Sequence, residues 1–177
     1  TPSTPADAKG LLKAAIRDDN PVIFIEHEYL YGQRGEVPEG EHVVPLGKAR
    51  IAREGTDVTL VAYGAMVAVA ESAAGDLAGE ASCEVLDIRT LKPLDEDALL
   101  ASAAKTGRVV IVQEAPRTLG YAAELAAILA EKAILDLRGP VLRVTGFDVP
   151  YPYWQLEDHY MPSAARVVDA VRRLLDF

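Results

Sequence analysis

At 177 residues the chain is long enough for one domain with a sizeable core and some additional segment. A formal net charge of -9 argues against nucleic acid, whose phosphates need clustered Lys and Arg, and permits a basic protein partner. No apolar run approaches the roughly 20 residues of a membrane span, and a single cysteine, Cys83, excludes an internal disulfide.

The first residues, Thr1 to Pro5, carry neither a basic nor an apolar leader pattern and no initiating Met. A piece of a longer chain, or a processed one, is therefore expected. Ala6 to Asp18 has a helical pattern with Leu11, Leu12, Ala15 and Ile16 on one face and Asp7 near its start. Asn20-Pro21 breaks it, and Val22 to Ile25 predicts a short buried strand. Glu26 to Pro45 has no clear period, and so long an irregular stretch suits a connection between domains. The expected division is a domain tail over 1–26, a linker over 27–46 and a complete unit over 47–177.

From Leu46 onward strands and helices alternate. Ala49–Arg53 predicts a short strand, Glu54 to Asp57 a turn, and Val58–Tyr63 a β-branched strand ended by Gly64. Met66–Leu77, Glu96–Ala104, Tyr121–Leu137 and Ser163–Leu175 predict helices; Cys83–Ile88, Arg108–Gln113 and Val141–Val144 predict strands. Such alternation predicts a three-layer α/β/α domain on a mostly parallel sheet with right-handed crossovers. Cys83 falls in an apolar run and reads as a buried, inert thiol.

Three stretches carry candidate sites. Asp87 to Asp95 leaves a strand's carboxyl end, where open α/β sheets meet ligands and partners. There Asp87 and Arg89 share a face and can pair, Pro93 stiffens the turn, and Asp95 can cap a helix. Glu114 and Arg117 sit at the end of another strand. An ion pair between them is the preferred reading, since a neighbouring Arg favours the ionised carboxylate and spoils a proton donor; general acid–base work by Glu114 is the alternative. Phe147–Pro162 is dense in Pro and aromatics, and Tyr151, Tyr153, Trp154 and Tyr160 suit a subunit interface, with a stacking platform for a ligand as the alternative. The turn after Tyr63 has neither the dinucleotide fingerprint nor a P-loop, so Gly64 reads as a tight turn. His27, His42 and His159 lack metal-ligand spacing, and there is no G-x-S-x-G elbow. Residue chemistry alone shows no catalytic constellation.

The ordered series Pro21-Val22-Ile23-Phe24-Ile25-Glu26-His27 with Leu30-Tyr31, Pro45-Leu46-Gly47-Lys48-Ala49, Gly55-Thr56-Asp57-Val58-Thr59, Asp87 to Asp95, Lys105-Thr106-Gly107-Arg108, Glu114-Ala115-Pro116 and Arg143-Val144-Thr145-Gly146 with Asp148-Val149-Pro150 runs nearly end to end. It resembles the β subunit of the thiamine-diphosphate-dependent decarboxylating component of 2-oxo acid dehydrogenase complexes, of pyruvate or branched-chain type. The resemblance implies a transketolase carboxyl-terminal-type fold of five strands, one antiparallel, for which Ala49–Arg53 is the candidate. It implies thiamine diphosphate and Mg²⁺ in the full assembly, with none bound by this segment: the family's activating Glu and catalytic His precede Thr1, and the α subunit holds the diphosphate. His27, in a late-strand context, is not that catalytic His.

Assembly is what the resemblance leaves to this segment. It implies packing with an α subunit and a second β subunit in an α2β2 tetramer, and docking of the peripheral subunit-binding domain of the acyltransferase core. An acidic surface suits a basic docking domain. Phe177 and Asp176 are the docking candidates, with Asp136 and Glu131 behind them; Arg138 departs from the expected acidic patch. Location would be cytoplasmic in a bacterium and the mitochondrial matrix in a eukaryote. The alternative is the equivalent domain of another thiamine enzyme, of transketolase, deoxyxylulose-phosphate synthase or acetoin dehydrogenase type.

Overall fold

Five strands form one sheet in the order β1-β3-β2-β4-β5 in the computed structural model, which describes residues 1–177. They are β1 (Arg50–Arg53), β2 (Val58–Ala62), β3 (Cys83–Asp87), β4 (Val109–Pro116) and β5 (Leu142–Gly146). β1 is antiparallel to β3, as expected for that strand; the others run parallel. Helices α2 (Met66–Asp76), α3 (Glu96–Thr106), α4 (Tyr121–Lys132) and α6 (Ala164–Leu175) follow β2, β3, β4 and β5, with a short α5 (Glu157–Tyr160) before α6. No helix is long and apolar enough to cross a membrane.

Strand alternation divides the core between the two faces. Leu60, Val85, Val110 and Val112 pack with α2 and α6 on one face; Val61, Leu86, Val109 and Ile111 pack with α3 and α4 on the other. Central strands buried on both faces read as continuous apolar runs, which is why β2 to β4 were legible as parallel strands. The chain moves from β2 outward to β3 through α2, then crosses back to the far side of β2 through α3. Helices on opposite faces for opposite directions keep the crossovers of one hand. The strand order therefore reverses between β2 and β4, and a crevice opens at their carboxyl ends.

Polar groups are buried where they fasten elements. Asp95 caps α3, accepting from the Ala98 amide at 3.4 Å, and Gly107 ends that helix at a φ of +69°, a conformation glycine adopts without Cβ strain. Gln113, fully buried in β4, joins strand to helix. Its Oε1 accepts from the Ala122 amide (2.6 Å) in the first turn of α4, and its Nε2 donates to the Ala115 and Pro116 carbonyls (3.3 and 2.9 Å). Gly120 leaves room for it, since a Cβ there would lie 2.0 Å from Gln113 Nε2.

Several expectations fail. Val22–Ile25 forms no strand: nothing pairs with it, and Ile23 is 88% exposed. A strand requires a neighbour for its backbone groups, and a local apolar run says nothing about where that neighbour is. On α1 (Pro5–Arg17) only Leu11 of the apolar face is buried; Leu12 and Ile16 are exposed. α4 stops at Lys132, five residues before the expected Leu137, because the chain must swing back to the Gly107 carbonyl, where the Arg138 amide donates at 2.7 Å.

Gln113→Leu should cost about 2–3 kcal/mol in a urea melt, because it strands one buried amide and two carbonyls without removing volume. A loss under about 0.5 kcal/mol would show that water replaces the cap.

Candidate functional site

The corner from Asp87 to Asp95 closes a buried charge network, but not through the expected pair. Asp87 and Arg89 do not join side chains. Arg89 sits at a φ of +53°, unusual for a residue with a Cβ, and this turns its side chain away from Asp87. Its guanidinium donates to Asp7 Oδ1 (3.0 Å) on α1 and to the carbonyls of Lys48 and Ala49 (2.9 and 3.0 Å). Asp87, fully buried, accepts from the Ser3 hydroxyl, from Arg50 Nη2 (3.2 Å) and from the Arg89 amide (3.1 Å). Arg50 also faces Asp7 at 3.5 Å, although its Nε is too poorly aligned for a hydrogen bond. Asp95 accepts from the Ala49 amide (3.0 Å), and the Thr90 hydroxyl accepts from the Gly47 amide (3.0 Å). Pro93 follows a cis peptide bond and packs against Gly47. Backbone twist and charge together lock the start of β1 and the first turn of α1 onto the end of β3.

At the reversal of strand order lies a cavity of about 450 Å³, walled by His27, Tyr63, Met66, Glu114, Val149 and Tyr151 among others. The expected Glu114–Arg117 pair does not form across it. Glu114 instead meets His27 Nε2 at 2.5 Å, and Arg117 reaches the Arg143 carbonyl at 3.4 Å. The β4 backbone carries on as strand through Pro116, which places Glu114 over the cavity and Arg117 beyond the strand end. His27 Nδ1 accepts from the Tyr29 amide (3.3 Å), so Nε2 carries the proton that Glu114 accepts. Burial pushes the Tyr63 hydroxyl up to about 12, with the charges of Tyr121 and Glu114 adding to the shift. Sequence reasoning missed the His27–Glu114 contact because 87 residues separate the partners. The one available signal was a histidine closing an otherwise apolar run. A proton donor, a carboxylate and tyrosines can orient a polar ligand, but the wall holds no Lys or Arg to meet a diphosphate, and no group of three or more His, Cys, Asp or Glu gathers in the chain to hold a metal.

The aromatic stretch divides. Tyr160, expected at a subunit interface, is buried within this chain, edge-on to Phe147 and Tyr151 at 6.2 and 5.0 Å, because α5 turns it back under the end of β5. Tyr151 is about half exposed, and Tyr153 and Trp154 are open to solvent. At the far end of the domain, Phe177 is exposed beside Asp176 and lies over Gly139, and Glu131 and Asp136 are exposed at the end of α4 and in the turn after it. Arg138 lays its stem over Gly107, at the carboxyl end of α3. Cys83 is buried, and desolvation pushes its thiol up to about 11.

Sheet order, the single antiparallel edge and helices on both faces define a three-layer domain of the transketolase carboxyl-terminal class. The chain belongs to the family described as transketolase, C-terminal domain, whose pattern matches residues 47–167. It is 48% identical to the pyruvate dehydrogenase E1 component subunit beta of Bacillus subtilis, over 99% of this chain and 55% of that protein. It is 44% identical to 2-oxoisovalerate dehydrogenase subunit beta 2, mitochondrial, of Arabidopsis thaliana, over 99% of this chain and 49% of that one. A solved split-gene transketolase, an inactive beta4 tetramer, superposes with a TM-score of 0.68 at 34% identity, covering 80% of this chain and 46% of its own. The chain spans about half the length of the curated relatives it matches.

Arg89→Ala should destabilise the fold by about 3 kcal/mol, since it leaves Asp7 facing only Arg50 and keeps a strained backbone without its anchor. Chemical denaturation measures this; a loss below about 1 kcal/mol would mean that solvent replaces the guanidinium. Burial raises the Asp87 carboxyl from its ordinary value, opposed by Ser3, Arg50 and the Arg89 amide. A carboxyl raised in the fold holds its proton more tightly there than in the unfolded chain. Its contribution is therefore full below the unfolded value near 3.8 and is lost as pH rises through the folded one. Asp87→Asn lacks that dependence, so the stability difference between variant and parent should move in favour of Asn as pH rises above the unfolded value. A difference that moves the other way would show that Arg50 outweighs burial.

Proposed function

We propose that this chain is the carboxyl-terminal assembly part of the β subunit of a 2-oxo acid dehydrogenase, supporting oxidative decarboxylation of pyruvate or branched-chain 2-oxo acids. The observation that carries the reading is 44–48% identity across 99% of the chain to proteins named as such β subunits. Residues 1–26 then belong to a preceding domain and 27–46 to the linker, which accounts for the exposed Ile23 and the unpaired backbone around it. In the assembled enzyme thiamine diphosphate with Mg²⁺ supplies the decarboxylation chemistry. The crevice beside His27 and Glu114 does not fit a diphosphate, so its part is structural: Asp7–Arg89 holds α1 against the sheet, Arg50–Asp87 joins β1 to β3, and His27–Glu114 holds the linker's beginning.

The exposed Tyr151, Tyr153 and Trp154 supply an apolar surface for packing with an α subunit or a second β subunit. Phe177, Asp176, Asp136 and Glu131 supply acidic and aromatic contacts for the basic subunit-binding domain of the acyltransferase core. Arg138, whose stem lies over Gly107, keeps its charge and makes that patch less acidic.

Calorimetric titration of the α2β2 enzyme with an isolated subunit-binding domain, at low and high salt, tests the docking. Binding that weakens with salt is expected, and removal of Phe177 together with Asp176→Asn should weaken it about tenfold or more. No binding at either salt would overturn the docking role. Turnover by the assembled enzyme on pyruvate and on branched-chain 2-oxo acids tests the activity, and failure on both would overturn that part alone.

A further inference from the structure

β5 is an edge of the sheet, and arginines line the surface beside it. Arg117 after β4, Arg143 on β5 and Arg166 on α6 line two adjoining hollows, of about 250 and 430 Å³; Arg173 and Asp169 border the larger, Phe147 and Asp148 the smaller. Three separate elements thus bring guanidinium groups to one place.

None of the three has a carboxylate within 4.0 Å. Two other exposed arginines are paired, Arg17 with Glu41 and Arg172 with Glu80. Here Arg117 donates to the Arg143 carbonyl (3.4 Å) and Arg143 to the Arg117 carbonyl (3.2 Å), a reciprocal clasp that holds two like charges side by side. Arg166 is fixed by the carbonyls of Tyr160, Met161 and Thr145 and stacks 4.7 Å over Phe147. Its partial burial removes water from the charge, which lowers its pKa. Asp148, in the wall of the smaller hollow, is held by the Thr118 amide and hydroxyl at 2.8 and 2.7 Å, which with the weaker influence of Arg117 lowers its carboxyl from the ordinary value. Carbonyls orient a guanidinium without cancelling its charge, and each clasped arginine keeps most of its five N–H donors free.

We propose that this groove is a binding site for a phosphoryl group, with the smaller hollow taking the phosphate and the larger one the body of a phosphorylated small molecule. Preorganised arginines with no carboxylate in contact gain from an anion that relieves their mutual repulsion. A tetrahedral phosphate offers oxygens in several directions to donors arriving from three elements, whereas a planar carboxylate offers two in one plane. The assignment is independent of the subunit's role in assembly.

The test is calorimetry on the assembled enzyme carrying this chain, at constant ionic strength, with pyrophosphate, inorganic phosphate and citrate as probes. Saturable binding is expected for pyrophosphate and, more weakly, for phosphate. Arg143→Lys keeps the charge but loses the fork, and should weaken pyrophosphate about tenfold; Arg117→Gln with Arg143→Gln should abolish it. Arg172→Gln, outside the groove's lining and paired with Glu80, should bind as the parent does. Thermal melts confirm that each variant is folded, and the Lys variant still reads the site if the double variant is not. Citrate binding as tightly as pyrophosphate, binding unchanged in Arg143→Lys, or no saturable binding would each overturn the proposal.

Discussion

Arg89 and the acids around it set the geometry on which the rest of the molecule depends. β3 ends at a buried carboxylate, and the chain must then turn sharply to reach α3. The turn puts Arg89 in the left-handed region, at a cost of about 1–2 kcal/mol for a residue with a Cβ. That conformation persists because the guanidinium is held three ways, by Asp7 and by two carbonyls at the start of β1. The antiparallel edge strand, the amino-terminal helix and the β3–α3 turn thus share one anchor. If the anchor goes, each loses its reference to the others.

A second constraint is topological. Strand order reverses between β2 and β4, which opens a crevice at their carboxyl ends whatever side chains line it. In this chain the crevice receives His27, Glu114 and tyrosines, a lining suited to orienting a neutral or cationic polar group and unsuited to a diphosphate. The basic chemistry lies instead at the β5 edge of the sheet, where Arg117, Arg143 and Arg166 meet.

Both misjudged ion pairs share a cause. Asp87 with Arg89, and Glu114 with Arg117, are close in sequence and lie near strand ends, so local proximity made pairing attractive. In each case a backbone feature sent the arginine elsewhere: a positive φ at Arg89, and continued strand through Pro116 before Arg117. The true partners are 82 and 87 residues away. Val22–Ile25 failed in the same way, since an apolar run records that a strand is possible and not that a neighbour is present.

What the amino-acid order determined by itself is the local and periodic part of the molecule. The family resemblance alone implied the antiparallel edge; the buried strands β2, β3 and β4, the helices between them, the Asp95 cap and the three-layer class follow from hydrophobic runs and turn residues. These signals rest on forces acting within a few residues, so they can be read along the chain. The tertiary structure alone decided which charges meet: Asp7 with Arg89, His27 with Glu114, and three arginines gathered beside β5. Coulomb and hydrogen-bonding partners are chosen by distance in space, and that distance is set only once both faces of the sheet are packed.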